Sequence, residues 1–225
     1  MALLVKICGL KTVEALDAAL DGGADMVGFV FFPPSPRNLG LEAAKVVGER
    51  VKGRARKVAL SVDATDAELT AAIEALKPDM LQLHGKEAPE RVASVRSRFR
   101  LPVMKALPIE TRADLSPIYT YANVADWLLF DARAPREATR PGGLGKPFDW
   151  TVLERLSPGV PFMLSGGLDA GNLAEAVRIA RPTAVDVSSG VERVPGEKDP
   201  AKIRTFVVTA RDVDNALSDK AVKRA

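Results

Sequence analysis

Short apolar runs alternate with longer segments of helical periodicity along this chain. Eight runs of this kind occur, LLVKIC, DMVGFVF, KVALSV, MLQLH, PVMKAL, WLLFDA, PFMLSG and AVDVSSG, beginning near residues 3, 25, 57, 80, 102, 127, 161 and 184. Their lack of strict polar alternation predicts strands buried on both faces, as in a parallel sheet covered by helices. Between them, apolar residues recur at helical spacing, as at Val13, Leu16 and Leu20. Each strand is therefore predicted to be followed by a helix.

Eight strand–helix units predict an α/β fold, a single (β/α)8 TIM barrel that spans residues 1–225 as one domain. Helices are also predicted over DAELTAAIEALKPD, with Asp66 as N-cap, and over AGNLAEAVRIARP, which ends before Pro182. The alternative is an open doubly wound sheet, which usually has fewer strands, and no G-x-G-x-x-G motif follows the first strand here. The segment DARAPREATRPGGLGKPFDW lacks a helical period and predicts a long functional loop.

The composition of the chain limits the classes of binding partner that are expected. The chain is 47% hydrophobic and 27% charged, and its net charge of +3 comes from dispersed basic residues, so no nucleic-acid partner is expected. No run of eighteen apolar residues and no secretory signal are present, so no membrane association is expected. The lone cysteine excludes an internal disulfide and is compatible with a reducing compartment, and we predict a cytoplasmic location.

Reactive side chains recur where the predicted strands end, which is where TIM barrels build their active sites. These residues are Lys6, Cys8, Arg37, Gln82, His84, Lys105 and Asp131. The only cysteine and the only histidine lie on different strands without the clustered spacing of a zinc site, so no metal is expected.

Glycine-containing turns end the last two predicted strands, in LSGGL (164–168) and VSSG (187–190). Glycine lets backbone N–H groups approach an anion closely, and phosphate sites in these barrels typically follow strands seven and eight. The glycines could instead serve only tight turns. Two such turns in these two units favour a phosphate site formed by Gly166, Gly167, Ser189 and Gly190.

Two side chains are candidates for proton transfer. Cys8 could act as a nucleophile or general base, or it could be a small buried hydrophobic residue. Asp131 follows the apolar run WLLF, where partial desolvation would suit a general acid, but a loop or helix-capping carboxylate is equally open. His84 could be a neutral histidine bonded to the backbone.

The motifs together resemble the phosphoribosylanthranilate isomerase family of tryptophan biosynthesis, in the same order from residue 5 to about residue 207. The matching stretches are VKICGL, GADMVGFVF, SPRN, LQLHG, VMKAL, LLFDA, GGLGKPFDW, LSGGL, VDVSSGVE and GEKDPAKIRTF. The resemblance implies a TIM-barrel isomerase that needs neither cofactor nor metal. Its reaction would be an Amadori rearrangement, from N-(5′-phosphoribosyl)anthranilate to 1-(2-carboxyphenylamino)-1-deoxyribulose 5-phosphate.

By motif match, the resemblance implies roles for individual residues. Cys8 would be the general base and Asp131 the general acid, Arg37 would meet the anthranilate carboxylate, and Lys6 and His84 would bind or orient the substrate. The backbone around the four turn residues would hold the phosphate. Three departures from the family pattern occur, Leu144 in place of threonine, Ser165 in place of alanine, and the strand end LSVD in place of one with phenylalanine and asparagine.

Two other functions stay open at this point. An indole-glycerol-phosphate synthase on the same barrel would need a catalytic lysine with paired glutamates, and no glutamate is placed beside Lys6 or Lys105 in the predicted strands. A non-catalytic phosphosugar-binding protein would keep the glycine turns but would not need both Cys8 and Asp131. A monomer and a homodimer are both compatible with the sequence.

Overall fold

Eight parallel strands form a closed barrel in the computed structural model, which describes residues 2–135, 142, 145 and 147–222. The strands are β1 (Leu4–Cys8), β2 (Met26–Phe31), β3 (Arg56–Ser61), β4 (Met80–Leu83), β5 (Val103–Ile109), β6 (Trp127–Ala132), β7 (Phe162–Leu164) and β8 (Ala184–Val187). Each strand pairs with its successor, and β8 pairs with β1 in the register Leu4↔Ala184 to close the ring. The predicted barrel is confirmed, and an open sheet is excluded.

Helices surround the barrel. They are α1 (Val13–Asp21), α2 (Leu41–Val51), α3 (Asp66–Leu76), α4 (Pro89–Phe99), α5 (Ile118–Ala122), α6 (Leu173–Ala180) and α7 (Pro200–Val222). The prediction of a helix after every strand is wrong for β6: within the described residues only a 3-10 turn, Trp150–Leu153, precedes β7. The Gly- and Pro-rich composition of this connection accounts for the difference, because both residues disfavour helix interiors. Nine of the twenty residues of the predicted long loop, Leu144 among them, lie outside the described residues.

The predicted N-cap of α3 is also wrong by one residue. Thr65, not Asp66, is the cap: its hydroxyl accepts a hydrogen bond from the Glu68 backbone N–H at 3.3 Å. The Glu68 carboxylate in turn accepts one from the Thr65 N–H at 2.8 Å. This reciprocal capping box satisfies two backbone donors that an aspartate cap at position 66 would not satisfy together.

Side chains alternate across each strand, and this alternation decides which residues enter the barrel. Buried apolar residues fill the lower half of the barrel interior, namely Met26, Val58, Met80, Met104, Leu129, Met163 and Ala184. Residues an even number of positions from these share their inward direction, among them Asp131, Asp186 and Gln82. The barrel interior below these polar side chains is therefore apolar. Lys105, one residue after Met104, faces the opposite way.

A short hairpin follows β8, formed by β9 (Glu192–Val194) and β10 (Glu197–Lys198). It was not anticipated from the sequence, and it brings Glu192 and Lys198 to the top of the barrel. Among the residues that the structure describes, no helix is long and apolar enough to cross a membrane.

Candidate active site

A cleft that is open to solvent lies at the carboxyl ends of the barrel strands. Seven of the residues predicted for the site line it, Cys8, Arg37, His84, Asp131, Gly166, Gly167 and Ser189. Lys6 and Gly190 do not: Lys6 is completely buried below the cleft, and Gly190 packs behind its wall. One cleft thus collects side chains separated by up to 181 positions in the sequence.

Cys8 ends β1 and is 3% exposed, in contact with the apolar residues Val30 and Leu60. Burial raises the pKa of its thiol, because a buried thiolate loses hydration, while the Lys6 and Lys198 ammonium groups act in the opposite direction. Gly28, on the neighbouring strand, leaves the space that the sulfur occupies: a β-carbon there would lie 2.9 Å from Cys8 Sγ. Cys8 is therefore a buried thiol with cations nearby.

Lys6 lies two residues below Cys8 on the same face of β1, with its Nζ 2.9 Å from Asp186 Oδ1. Burial disfavours the charged ammonium, but the Asp186 carboxylate and the Cys8 sulfur together outweigh it, and the net effect raises the pKa of Lys6. Both side chains are almost completely shielded from solvent. Lys6 thus supplies a fixed positive charge beneath the thiol.

Asp131 reaches the cleft from β6 and is 5% exposed. Its Oδ1 accepts a hydrogen bond from the Ala132 backbone N–H at 2.9 Å, and its Oδ2 lies 3.1 Å from Nε2 of His84. The other ring nitrogen of His84, Nδ1, lies 2.9 Å from Nε2 of Gln82. The carboxyl group is held in one orientation by contacts to both oxygens.

The two glycine turns adjoin each other at the rim formed by β7 and β8. Gly166 and Gly167 have φ values of +87° and +65°, which glycine adopts without strain. Neither of their N–H groups donates to another group in the described part of the chain. A β-carbon at Gly190 would overlap the Leu168 carbonyl oxygen, so the second turn requires glycine to pack against the first. This rim offers backbone donors to an anion.

Arg37 lies in the loop after β2 and is 4% exposed. Its Nε and Nη2 each donate to a Glu192 carboxylate oxygen at 2.7 Å. Glu192 also accepts from Lys198 Nζ at 2.8 Å, and Lys198 donates to the Ser188 carbonyl oxygen at 2.8 Å. The Ser188 hydroxyl donates to the Cys8 carbonyl oxygen at 3.2 Å. The hairpin after β8 thereby connects Arg37 to the end of β1.

Sequence reasoning missed Glu192 and Lys198. Burial lowers the pKa of Lys198 to about 8, with the Glu192 carboxylate opposing that shift. The stretches VSSGVE and GEK contain both residues, but nothing in their local pattern indicates a pairing with Arg37, which lies 155 positions from Glu192.

The opposite wall of the cleft is apolar and is formed by Val30, Phe32, Leu60 and Val62. Val62 belongs to LSVD, one of the departures from the family pattern, and it keeps this wall apolar. Ser165, another departure, points its hydroxyl towards Asp186, with an oxygen–oxygen distance of 3.4 Å.

Lys105 has no part in this cleft. Its Nζ donates to Glu87 Oε2 at 2.8 Å and to the Gly85 carbonyl oxygen at 2.7 Å, outside the barrel interior and 5.8 Å from the centre of the Tyr121 ring. A glutamate does accompany this lysine, but the pair is buried away from the cleft, so the synthase alternative receives no support. Within the described ranges, no group of three or more His, Cys, Asp or Glu residues could hold a metal ion.

Comparison with known proteins decides the family. The model of the N-(5′-phosphoribosyl)anthranilate isomerase family matches residues 5–209. The chain belongs to the N-(5′-phosphoribosyl)anthranilate isomerase family. A curated member from Bradyrhizobium sp. (strain ORS 278) is 63% identical over 211 residues, which cover 94% of this chain and 96% of that protein. The suspected family is confirmed, and the chain is an isomerase.

Solved structures of the isomerase agree in fold. The crystal structure of phosphoribosylanthranilate isomerase from Thermotoga maritima is 32% identical with a TM-score of 0.84, covering 93% of this chain and 99% of that one. A structure of the isomerase in complex with reduced 1-(o-carboxyphenylamino)-1-deoxyribulose 5-phosphate is 30% identical with a TM-score of 0.79, over the same shares of both chains. The family's barrel is thus shared along nearly all of this chain.

Proposed function

We propose that this isomerase of tryptophan biosynthesis converts N-(5′-phosphoribosyl)anthranilate into 1-(2-carboxyphenylamino)-1-deoxyribulose 5-phosphate, with Asp131 as general acid and Cys8 as general base. One observation carries the assignment: a carboxyl group and a thiol reach the same cleft from β6 and β1. Glycine turns border this cleft on one side and an apolar wall on the other. The whole chain, residues 1–225, acts as one barrel domain.

Asp131 performs the first proton transfer. Its carboxyl proton passes to the furanose ring oxygen as the bond from that oxygen to C1′ breaks. The anthranilate nitrogen supplies its lone pair, which gives a protonated Schiff base between C1′ and nitrogen. A positioned acid contributes about 10²–10⁴-fold to such a step.

Cys8 performs the second transfer. The Schiff-base cation acidifies the proton on C2′, and the Cys8 thiolate removes it to give an enolamine. The enolamine then gains a proton at C1′ and loses one from the C2′ hydroxyl, which yields the ketone. The proton that Cys8 takes balances the one that Asp131 gives, so the proton count of the enzyme is unchanged. Lys6, directly below the sulfur, favours the thiolate that this step requires.

The substrate is held at its two charged ends. Backbone N–H groups around Gly166, Gly167, Ser189 and Gly190 take the phosphate, because their turns present unpaired donors at the cleft rim. Arg37, fixed by Glu192, meets the anthranilate carboxylate beside the apolar wall that receives the aromatic ring. Lys6 acts from below the cleft through Cys8, and His84 acts from the lining of the cleft through Asp131.

The partners and location follow from this chemistry. The ligand is a small phosphosugar, and the reaction as written needs no cofactor or metal. A base that works as a thiolate must stay reduced, which supports a cytoplasmic location. No partner is proposed beyond a second copy of the chain: monomer or homodimer stays a prediction.

Loss of substrate fluorescence tests the proposal. Cys8→Ala and Asp131→Asn should each lower kcat by about 10²–10⁴-fold, because each removes one proton-transfer group. Asp21→Asn is the matched control, since Asp21 lies on the surface of α1 and pairs with Arg54. Near-normal kcat in either active-site variant, with folding intact by circular dichroism, would exclude that residue's role.

A further inference from the structure

Gln82 is a polar side chain that has no role in the mechanism proposed above. It lies on the inward face of β4, two residues before His84, and it is completely buried. Its Nε2 is 2.9 Å from His84 Nδ1. His84 Nε2 is in turn 3.1 Å from Asp131 Oδ2, so the three side chains form a chain of hydrogen bonds that ends at the general acid.

These contacts determine which ring nitrogen of the His84 imidazole carries hydrogen. A neutral imidazole has one nitrogen that donates and one that accepts. With the amide NH2 of Gln82 facing Nδ1, that nitrogen must accept, and the ring hydrogen must lie on Nε2. His84 then donates to the Asp131 carboxylate.

The opposite amide orientation is the alternative. The Gln82 carbonyl oxygen, Oε1, is buried and lacks a hydrogen-bond partner among the residues that the structure describes. Rotating the amide would give Oε1 a partner in Nδ1–H, but it would leave a bare Nε2 facing the carboxylate that forms when Asp131 gives up its proton. Hydrogen bonds to an ionised group are roughly twice as strong as those between neutral groups. Losing the bond to Asp131 is therefore the greater cost.

We propose that Gln82 is a positioning residue, which holds His84 in the tautomer with its hydrogen on Nε2 and so directs an N–H donor at Asp131. When Asp131 gives its proton to the substrate, the carboxylate left behind is stabilised by this donor. The catalytic consequence rests on the proposed acid role of Asp131, whereas the tautomer itself does not. Gln82 does not touch the reacting atoms, and it is not one of the described residues that line the cleft.

The single histidine of the chain makes the tautomer measurable. Protein labelled with 15N-histidine gives the ring nitrogens of His84 alone, and their couplings to the ring protons show which nitrogen carries hydrogen. In the unmodified protein at neutral pH we expect hydrogen on Nε2 and a bare Nδ1. Hydrogen on Nδ1 in this sample would overturn the proposal.

Two variants test whether Gln82 determines the tautomer of His84. Gln82→Glu keeps the shape but replaces the donor with an acceptor, so it should move hydrogen to Nδ1 or give a doubly protonated ring. Gln82→Met keeps the length but removes the hydrogen bond, so it should give a mixture of tautomers. Both should lower kcat by about tenfold while KM changes less than about threefold, as expected for losing one hydrogen bond to a charged group. Unchanged His84 resonances in both variants would refute the assignment.

A double-mutant cycle separates positioning from a merely structural role. If Gln82 acts through the imidazole, adding Gln82→Met to His84→Ala should cost less than about a further twofold in kcat. A full tenfold loss in that background would show that Gln82 acts by another route. Failure of the general-acid assignment is distinguishable, since Asp131→Asn would then retain kcat whatever the tautomer of His84.

Discussion

The ion pair beneath the thiol gives the sharpest quantitative prediction. Lys6 and Asp186 lie 2.9 Å apart, with side-chain exposures of 0% and 5%. At an effective dielectric constant of about 20, charges at that separation attract by about 6 kcal/mol, which offsets the cost of burying them. Lys6→Met, which keeps the length of the side chain, should therefore lower the free energy of unfolding by about 3–5 kcal/mol, because Asp186 is left buried and unpaired.

The same variant should change the chemistry of Cys8. Lys6 lowers the pKa of the thiol and Asp186 raises it, so removing the lysine alone moves the pKa upwards. Cys8 is the only cysteine, so the pH dependence of iodoacetamide alkylation reports on this thiol alone. We expect the alkylation midpoint to move to higher pH, with kcat lowered in parallel.

The double variant Lys6→Met with Asp186→Leu is the matched control. Removing both charges should recover most of the lost stability in urea denaturation, since no unpaired charge remains. If Lys6→Met alone costs less than about 1 kcal/mol, the buried pair does not stabilise the fold as reasoned. An alkylation midpoint that stays in place or moves down would refute the electrostatic link to Cys8.

Three further predictions follow from packing and charge. Gly28→Ala should slow catalysis and alkylation, because its β-carbon would lie 2.9 Å from Cys8 Sγ, and wild-type kcat would contradict this. Gly190→Ala should raise KM more than it lowers kcat by displacing the Leu168 carbonyl, and an unchanged KM would exclude a phosphate-binding turn there. Lys198 has its pKa lowered from 10.5 to about 8, so between these values this residue binds more protons in the unfolded chain and its own contribution to stability should rise with pH. Urea titrations should show this rise in the stability difference between the wild type and Lys198→Met, and a difference that does not change with pH would contradict it.

The strands and their ends were accessible to sequence reasoning because burial leaves a continuous apolar pattern. Cys8, His84 and Asp131 could be assigned to one rim because each lies where a predicted strand ends. The N-cap of α3 was less secure, since Thr65 and Asp66 can both cap a helix and only the reciprocal bond to Glu68 decides between them.

Ion pairs between residues that are distant in the sequence could not be predicted from any local pattern. Glu192 and Arg37 are 155 residues apart, and Lys105 and Glu87 are 18 apart. Their pairing depends on how the loops after β2, β4 and β8 pack, which neither hydrophobic periodicity nor residue type encodes. The direction of Lys105, away from the cleft, could have been obtained from its position one residue after Met104.

The charges around the cleft are complementary in sign to those of its proposed ligand. Arg37 and Lys198 both pair with the Glu192 carboxylate, so two of these three buried side chains are cationic and one is anionic. A substrate with a phosphate at one end and a carboxylate at the other would balance that charge. The same Lys198 acts against the burial that raises the pKa of Cys8. The cations that attract the substrate therefore also favour the thiolate form of Cys8. The bound substrate is anionic and disfavours that thiolate. The Schiff-base cation formed on ring opening restores a positive charge beside the sulfur, at the step where Cys8 must act as a base.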